Sequence, residues 1–515
     1  MKQISKLFLI CTFLTSYLFV YSQYYPPENE EIKKLKSDYP CPQLTKEQMY
    51  EDFDYFVKII RNCNPKYSVI KVNTGYDMIE QLLPFRDKIE NVKTTFEFIH
   101  LMKTAMNNVL GGHGGIGLDL WYSRNGFYKE EVKLLELTNQ DFACMFHYYN
   151  EESWRHPPFL NFCYSNGKYC LKNSTTFYCN GDTIQIPIGS EVILYNNQSV
   201  AEYIHDSART SASCWDNDRK KFYARRIDIK DEWTKIRFLV DNKPVDVNFS
   251  HFKEYEKGFD RDRNSKMYIH YFQHDSLLYI RLPLTFSDTF KMAEKILPYK
   301  QYPFKTVMVD IREHYGGKDK VWKFLLSLIG GDTFRSHSSL IANDDPEVRK
   351  RYPECNTQKS WPMLNAEQPF IVIEDEQIEI ENAQENLGYT GTIYILVDDR
   401  VRSSAEGFTS LNKQNERIKT IGIPTGVYHG RGVTLTVFIL PNSRFCFTLN
   451  ITLDDANIAA PIDFLHDYVS YPIFPSLNYF KYYHSPQRPN EIDEKAMYEH
   501  DELFVKALEI IKAKK

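Results

Sequence analysis

The chain has 515 residues, 43% of them hydrophobic and 25% charged, which is enough for two to four domains with sizeable cores. Its formal net charge of -5 comes with no basic stripe, and this excludes the electrostatic footprint of a nucleic-acid-binding protein. The 36 Tyr and 34 Phe fit aromatic-rich cores or a peptide or carbohydrate groove, and only their positions decide between these.

At the start of the chain, Lys2 and Lys6 precede an apolar run from Leu7 to Tyr21. This run is short for a membrane span and has the length of a secretory h-region, and Val20-Tyr21-Ser22 supplies a cleavage site before Gln23. Residues 1–22 are read as a signal peptide. The mature chain is then periplasmic or extracellular, with no membrane anchor after cleavage. Of ten cysteines, Cys11 falls inside the apolar run. The remaining number is odd, so at least one thiol lacks an intrachain partner. Cys163, Cys170 and Cys179 cluster at spacings that match no tight zinc pattern, and disulfides within 144–214 stay open.

From Leu44, Thr45 and Gln48 form a capping box for a helix with Met49, Phe53, Phe56 and Ile60 on one face, ended by Asn64-Pro65. A second helical pattern, Phe96 to Leu110, runs into Gly111-Gly112-His113-Gly114-Gly115. An imidazole presented by a glycine-flanked turn makes His113 a candidate general base. Short apolar runs broken by Asn, Gly and Ser then point to mostly β structure up to about residue 250. Within it, Ile186 to Ile204 reads as a Gly turn, the strand Val192 to Tyr195, an Asn-Asn turn and a helix. This piece resembles the part of PDZ domains where a ligand chain adds to a sheet edge.

From Met267 the pattern changes. Two apolar strands and a helix to about Leu297 are followed by the strand Thr306 to Asp310, the loop Ile311 to Gly317 and the helix Val321 to Ile329. The strand Ile393 to Val397 then leads through Arg402 into Ser403, Ser404 and a helix with Ala405, Phe408 and Leu411 on one face. This is α/β layering with parallel strands, whose ends carry the chemistry. Ser403 sits where a strand hands over to a helix N-terminus, where free N–H groups and the helix dipole stabilise an anion. That is a setting for a nucleophile and its oxyanion hole, although a serine that merely caps a helix has the same pattern. Val433 to Leu440 and Phe445 to Leu453 read as a hairpin around Pro441-Asn442, and Asn490 to Lys512 as one amphipathic helix.

Three segments, DIREHYGG (Asp310 to Gly317), SSAE (Ser403 to Glu406) and GIPT (Gly422 to Thr425), resemble in order and spacing the motifs of the S41 peptidases, the C-terminal processing and tricorn-like serine proteases. The resemblance implies a crotonase/ClpP-like α/β core over 265–475, a helical region over 44–119, a β-rich, PDZ-like region over 120–260 and a C-terminal helix over 490–515. Ser403 becomes the nucleophile, with Glu406 behind it on the helix. The N–H of Ser404 and that of Gly316 or Gly317 become the oxyanion hole. One S41 subtype takes its base from a Lys after the Pro-Thr turn, but Val427-Tyr428-His429-Gly430 has none. The other takes a His from an early Gly-His motif, which implies that His113 accepts the Ser403 proton and returns it to the leaving amine. Gly111 and Gly114 replace the acid and the threonine usual around that His. Asp463, in Ala460-Pro461-Ile462-Asp463, is the counterpart of the final acidic member, shifted by one, and His314 and His429 stay open as alternative bases.

The resulting expectation is an exported serine endopeptidase acting through an acyl-enzyme on unfolded or C-terminal peptide segments, with no metal or organic cofactor. The other reading is a relative that keeps the cleft and captures peptides without cutting them. Oligomeric state is not encoded in any of these patterns.

Overall fold

The structure, a computed structural model, describes residues 30–110, 115–116, 134–149, 159–179, 181–207, 213–229, 233–254, 266–283, 288–366, 368–425, 435–456, 458–465, 468–485, 488–489 and 491–514. The expected signal peptide, His113 and His429 lie outside the described residues. The chain divides into two compact units.

The first unit takes residues up to Tyr67, Asp77–His156 and Thr434–Ile451. Its helix Lys46–Cys63 starts at the expected capping box: the Gln48 N–H donates to the Thr45 hydroxyl at 3.3 Å and the Thr45 N–H to the Gln48 side chain at 2.9 Å. Met49, Phe53, Phe56 and Ile60 are buried along one face. Asp52, also buried, accepts the N–H groups of Asn442 and Ser443 at 2.7 and 2.8 Å. Those residues form the turn of the expected hairpin, whose strands are Leu435–Ile439 and Cys446–Asn450. The stretch read as mostly β contains a helix at its start, Asn139–Tyr149. Thr138 and Asp141 cap it reciprocally, at 2.8 and 3.3 Å, and it buries Phe142, Met145 and Phe146. That Thr-x-x-Asp box was the sequence signal for it.

The second unit takes Ser68–Tyr76, Pro157–Val433 and the chain from Thr452. Its β-rich part contains a seven-stranded antiparallel sheet in the order Arg226–Asp228, Phe159–Ser165, Lys168–Leu171, Glu191–Tyr195, Thr234–Val240, Lys243–Phe249, with Gln198–Ser199 beside Glu191–Tyr195. Asn196 and Asn197, at φ +46° and +67°, make the expected tight turn before the helix Val200–Ser207. Glu191–Tyr195 is paired on both sides, so it presents no free edge to a ligand chain.

The core of this unit is a six-stranded sheet in the order Tyr268–Phe272, Leu277–Arg281, Thr306–Asp310, Ile393–Val397, Ile418–Gly422, Tyr471–Pro472; the first pair is antiparallel and the rest are parallel. Every residue of Thr306–Asp310 and Ile393–Val397 is buried, which is why both read as unbroken apolar runs. Alternation divides each strand between two cores. Leu278, Ile280, Val307, Val309, Ile393 and Ile395 pack with Leu325, Leu326 and Ile329 of the helix Asp319–Ile329 and with Ala405 and Phe408. Leu277, Tyr279, Met308, Tyr394 and Leu396 pack with Tyr479, Phe480, Phe504 and Leu508 from the C-terminal helices.

The single helix expected over 490–512 is two helices, Glu494–His500 and Glu502–Lys514. The break is Asp501, at φ -87° and ψ 82°. Its carboxylate, 1% exposed, receives the Arg312 guanidinium at 2.8 and 2.9 Å and the Phe504 N–H at 3.2 Å. A buried ion pair survives only with its geometry fixed and its lone pairs satisfied, and the chain bends to supply both. No described helix is long and apolar enough to cross a membrane.

Candidate active site

The strand Ile393–Val397 passes through Asp398 to Arg402 and reaches Ser403, the N-cap of the helix Ser404–Ser410, at φ +55° and ψ -127°. A positive φ on a residue with a side chain costs about 1–3 kcal/mol and persists only where the surroundings impose it. Four hydrogen bonds impose it here. Glu406, 0% exposed, accepts the Ser403 N–H at 2.9 Å. The Ser403 carbonyl accepts the N–H groups of Glu406 and Gly407 at 2.8 and 3.2 Å, and the Arg402 N–H donates to the His314 carbonyl at 3.2 Å. Gly316 closes the other side: a Cβ there would lie 2.7 Å from the Ser403 Cβ and 2.8 Å from the Arg402 carbonyl oxygen. Only glycine fits so close, and Gly316 and Gly317 take φ of +107° and +142°.

The Gly316 N–H donates to His314 Nδ1 at 3.1 Å. Burial draws His314 down to about 4, so its ring is neutral at pH 7. With Nδ1 accepting, the ring proton is assigned to Nε2, and His314 braces the loop. Among the described residues the N–H groups of Ser404 and Gly317 have no hydrogen-bond partner. The Ser404 hydroxyl donates to Asp319, which also accepts from Trp322 Nε1 at 3.3 Å, and Trp322 stacks on Phe408 with centroids 5.7 Å apart. These contacts join the helix after Ser403 to the helix after the Gly-Gly loop.

The first half of that loop is held by buried charge. Asp310 receives the Tyr279 hydroxyl, the Arg312 guanidinium at 2.6 Å and Arg281 at 3.4 Å. Burial alone would raise its pKa, but Arg312 and Arg281 outweigh it and hold the carboxyl far below the usual range. Arg312 continues to Asp501 and to the Tyr479 hydroxyl, 3.2 Å away. Glu313, at φ +63°, donates its N–H to Asp398 at 3.0 Å, pairs with Arg400 at 3.4 Å and lies 3.9 Å from His484. Its carboxyl is also held far below the usual range, Arg400 and then His484 outweighing burial. Asp398 goes the other way: burial, then Asp399 and Glu313, raise it to about 7.

Of the residues expected at the site, the structure brings together Ser403, Ser404, Glu406, Gly316 and Gly317. The third motif packs against the strand leading to Ser403, since a Cβ on Gly422 would lie 2.1 Å from the Val397 carbonyl oxygen. Asp463 fastens its own turn: one oxygen receives the Lys413 ammonium at 2.8 Å, the other the N–H groups of Ala459 and Ala460 at 3.0 Å each. Lys413 and these N–H groups outweigh burial and lower its pKa. The sequence reading missed the supporting charges Arg281, Arg312, Asp398, Arg400 and Asp501. The one local sign of them was Asp310-Ile311-Arg312-Glu313, a dense charge cluster at the end of the buried strand Thr306–Asp310. Among the described residues no cluster of His, Cys, Asp and Glu is arranged to hold a metal.

Residues 276–454 match the model of peptidase family S41. Among solved structures, that of mature CPAF complexed with lactacystin superposes with a TM-score of 0.54 at 10% identity, covering 91% of this chain and 98% of that one. The structure of a CPAF s499a mutant gives 0.53 at 10% identity, covering 90% and 98%. At this identity the likeness is one of fold. No curated protein matches the sequence.

Proposed function

We propose that the chain, whose residues 276–454 match the model of peptidase family S41, is a serine endopeptidase with Ser403 as nucleophile. The observation that carries this reading is the strained Ser403 backbone, at φ +55°, held between the buried Glu406 and the close-set Gly316. Sharp strand-to-helix turns of this kind present nucleophiles in other hydrolases.

Ser403 Oγ attacks the scissile carbonyl as a base removes its proton. The charge that develops on the carbonyl oxygen is taken by the N–H groups of Ser404 and Gly317. Gly316 is the weaker candidate for the second donor, because its own N–H is engaged by His314. The resemblance assigns the base to His113, which passes the proton to the leaving amine; water then hydrolyses the acyl-enzyme with the same group as base. Glu406 positions Ser403 through the backbone. Substrates are unfolded or C-terminal peptide segments. Capture by the β-rich part falls to a strand at the end of the sheet, Lys243–Phe249 or Arg226–Asp228, and export falls to residues 1–22.

The second reading, a peptide-capturing relative without cleavage, draws on Asp463, whose oxygens are already occupied by Lys413 and two N–H groups. Hydrolysis of a fluorogenic unfolded substrate separates the two. The peptidase reading expects Ser403→Ala and His113→Ala each to lower kcat on the order of a thousandfold or more. Undiminished cleavage by Ser403→Ala overturns it, and no cleavage by the intact chain favours capture.

A further inference from the structure

A cavity is lined by residues that include Cys163, Asp398, Arg400, Tyr479 and His484. One wall comes from the hairpin Phe159–Ser165 and Lys168–Leu171, which turns at Asn166-Gly167. In its register Cys163 stands directly opposite Cys170. Directly opposed residues of an antiparallel pair have Cα atoms about 4.5–5.5 Å apart, inside the span of about 4.4–6.8 Å that a disulfide bridges. Both are free thiols, 5% and 0% exposed.

Most buried cysteines serve as small apolar groups. Cys163 instead faces charge: His484 and Arg400 both act on it. Burial opposes its ionisation, but the Cys170 thiol and then His484 outweigh burial and draw Cys163 well below the ordinary thiol range. Cys170 is raised, first by its bond to Cys163 and then by burial. Cys163, which lines the cavity with His484 and Arg400, is the attacking thiol, and Cys170, opposite it on the paired strand, is the resolving one.

We propose that Cys163 and Cys170 are a redox pair that closes a cross-strand disulfide when a disulfide oxidant is present. The Cys163 thiolate attacks one sulfur of the oxidant and expels the other half as a thiol. The Cys170 thiolate then attacks the Cys163 sulfur and releases the second half. Two electrons pass to the oxidant, and the two thiol protons end on its two thiol products. The pair adjoins the proposed catalytic loop through His484, 3.9 Å from Glu313.

The test is to incubate the native full-length chain with oxidised glutathione, denature it, block free thiols with iodoacetamide and digest it with trypsin without reduction. Lys168 lies between the two cysteines, so trypsin separates their peptides unless a bond joins them. The expected result is a Cys163–Cys170 linked peptide, lighter than its parts by two hydrogens, with Cys355 and Cys446 recovered alkylated. In Cys170→Ser, Cys163 is expected as a mixed disulfide with glutathione. Recovery of Cys163 and Cys170 both alkylated, or of Cys163 alkylated in Cys170→Ser, overturns the proposal.

Discussion

Ser403 keeps a positive φ because its N–H ends on a carboxylate of 0% exposure, that of Glu406, and because Gly316 leaves no room for it to relax. A methyl group on Gly316 would have to fit 2.7 Å from the Ser403 Cβ at a φ of +107°. Gly316→Ala is therefore expected to cost about 1–3 kcal/mol of stability and to abolish hydrolysis while the chain stays folded. Thermal melting and the peptide assay check this together; wild-type activity in Gly316→Ala would show that the close approach is dispensable. Asp398 gives a pH signature at the same scale. Its folded pKa is raised from 3.8 to about 7, so between those values the folded chain binds more protons than the unfolded one. That contribution is fully present below about 4 and lost as pH rises through 7. Asp398→Asn, which retains an oxygen for the N–H groups of Glu313 and Arg400, is expected to flatten the fall in melting temperature between pH 5 and pH 8. An unchanged slope would show that Asp398 is ionised throughout.

At the scale of elements, the Gly-Gly loop is fixed by the C-terminal helices. Arg312 bridges Asp310, at the end of a core strand, to Asp501, at the helix break, and all three side chains are almost wholly inaccessible. Replacing Arg312 by Met strands Asp501 as a buried charge and weakens the hold on Asp310, which keeps Arg281 and Tyr279. A loss of about 3–5 kcal/mol is expected by denaturant unfolding, part of it recovered in the double variant with Asp501→Asn. A cost under about 1 kcal/mol would show that the pair is incidental. The same contact explains what the sequence hid. The strands Thr306–Asp310 and Ile393–Val397 were legible to the residue, because burial on both faces leaves an unbroken apolar run bounded by charge. The break at Asp501 was not, because local periodicity continues through it and its cause lies 189 residues away. The helix Asn139–Tyr149 was legible in its Thr138-Asp141 box and was masked by the β-like surroundings.

Over the whole molecule, three motifs separated by long stretches converge on the carboxyl ends of one parallel sheet, where open α/β sheets place their chemistry. Motif order and spacing therefore singled out Ser403, Gly316 and Glu406, which lie against one another in the structure, whereas the charges beneath them came from positions with no shared pattern. The partners of Asp310 alone lie at 279, 281 and 312. The proposed peptidase requires Ser403 to be a reactive nucleophile, and intact-mass analysis after treatment with a fluorophosphonate tests this most directly. The predicted result is a single adduct mapped to Ser403, absent from Ser403→Ala, with peptide hydrolysis lost in step with labelling. Hydrolysis that continues while Ser403 remains unmodified, or an adduct that persists in Ser403→Ala, would contradict it.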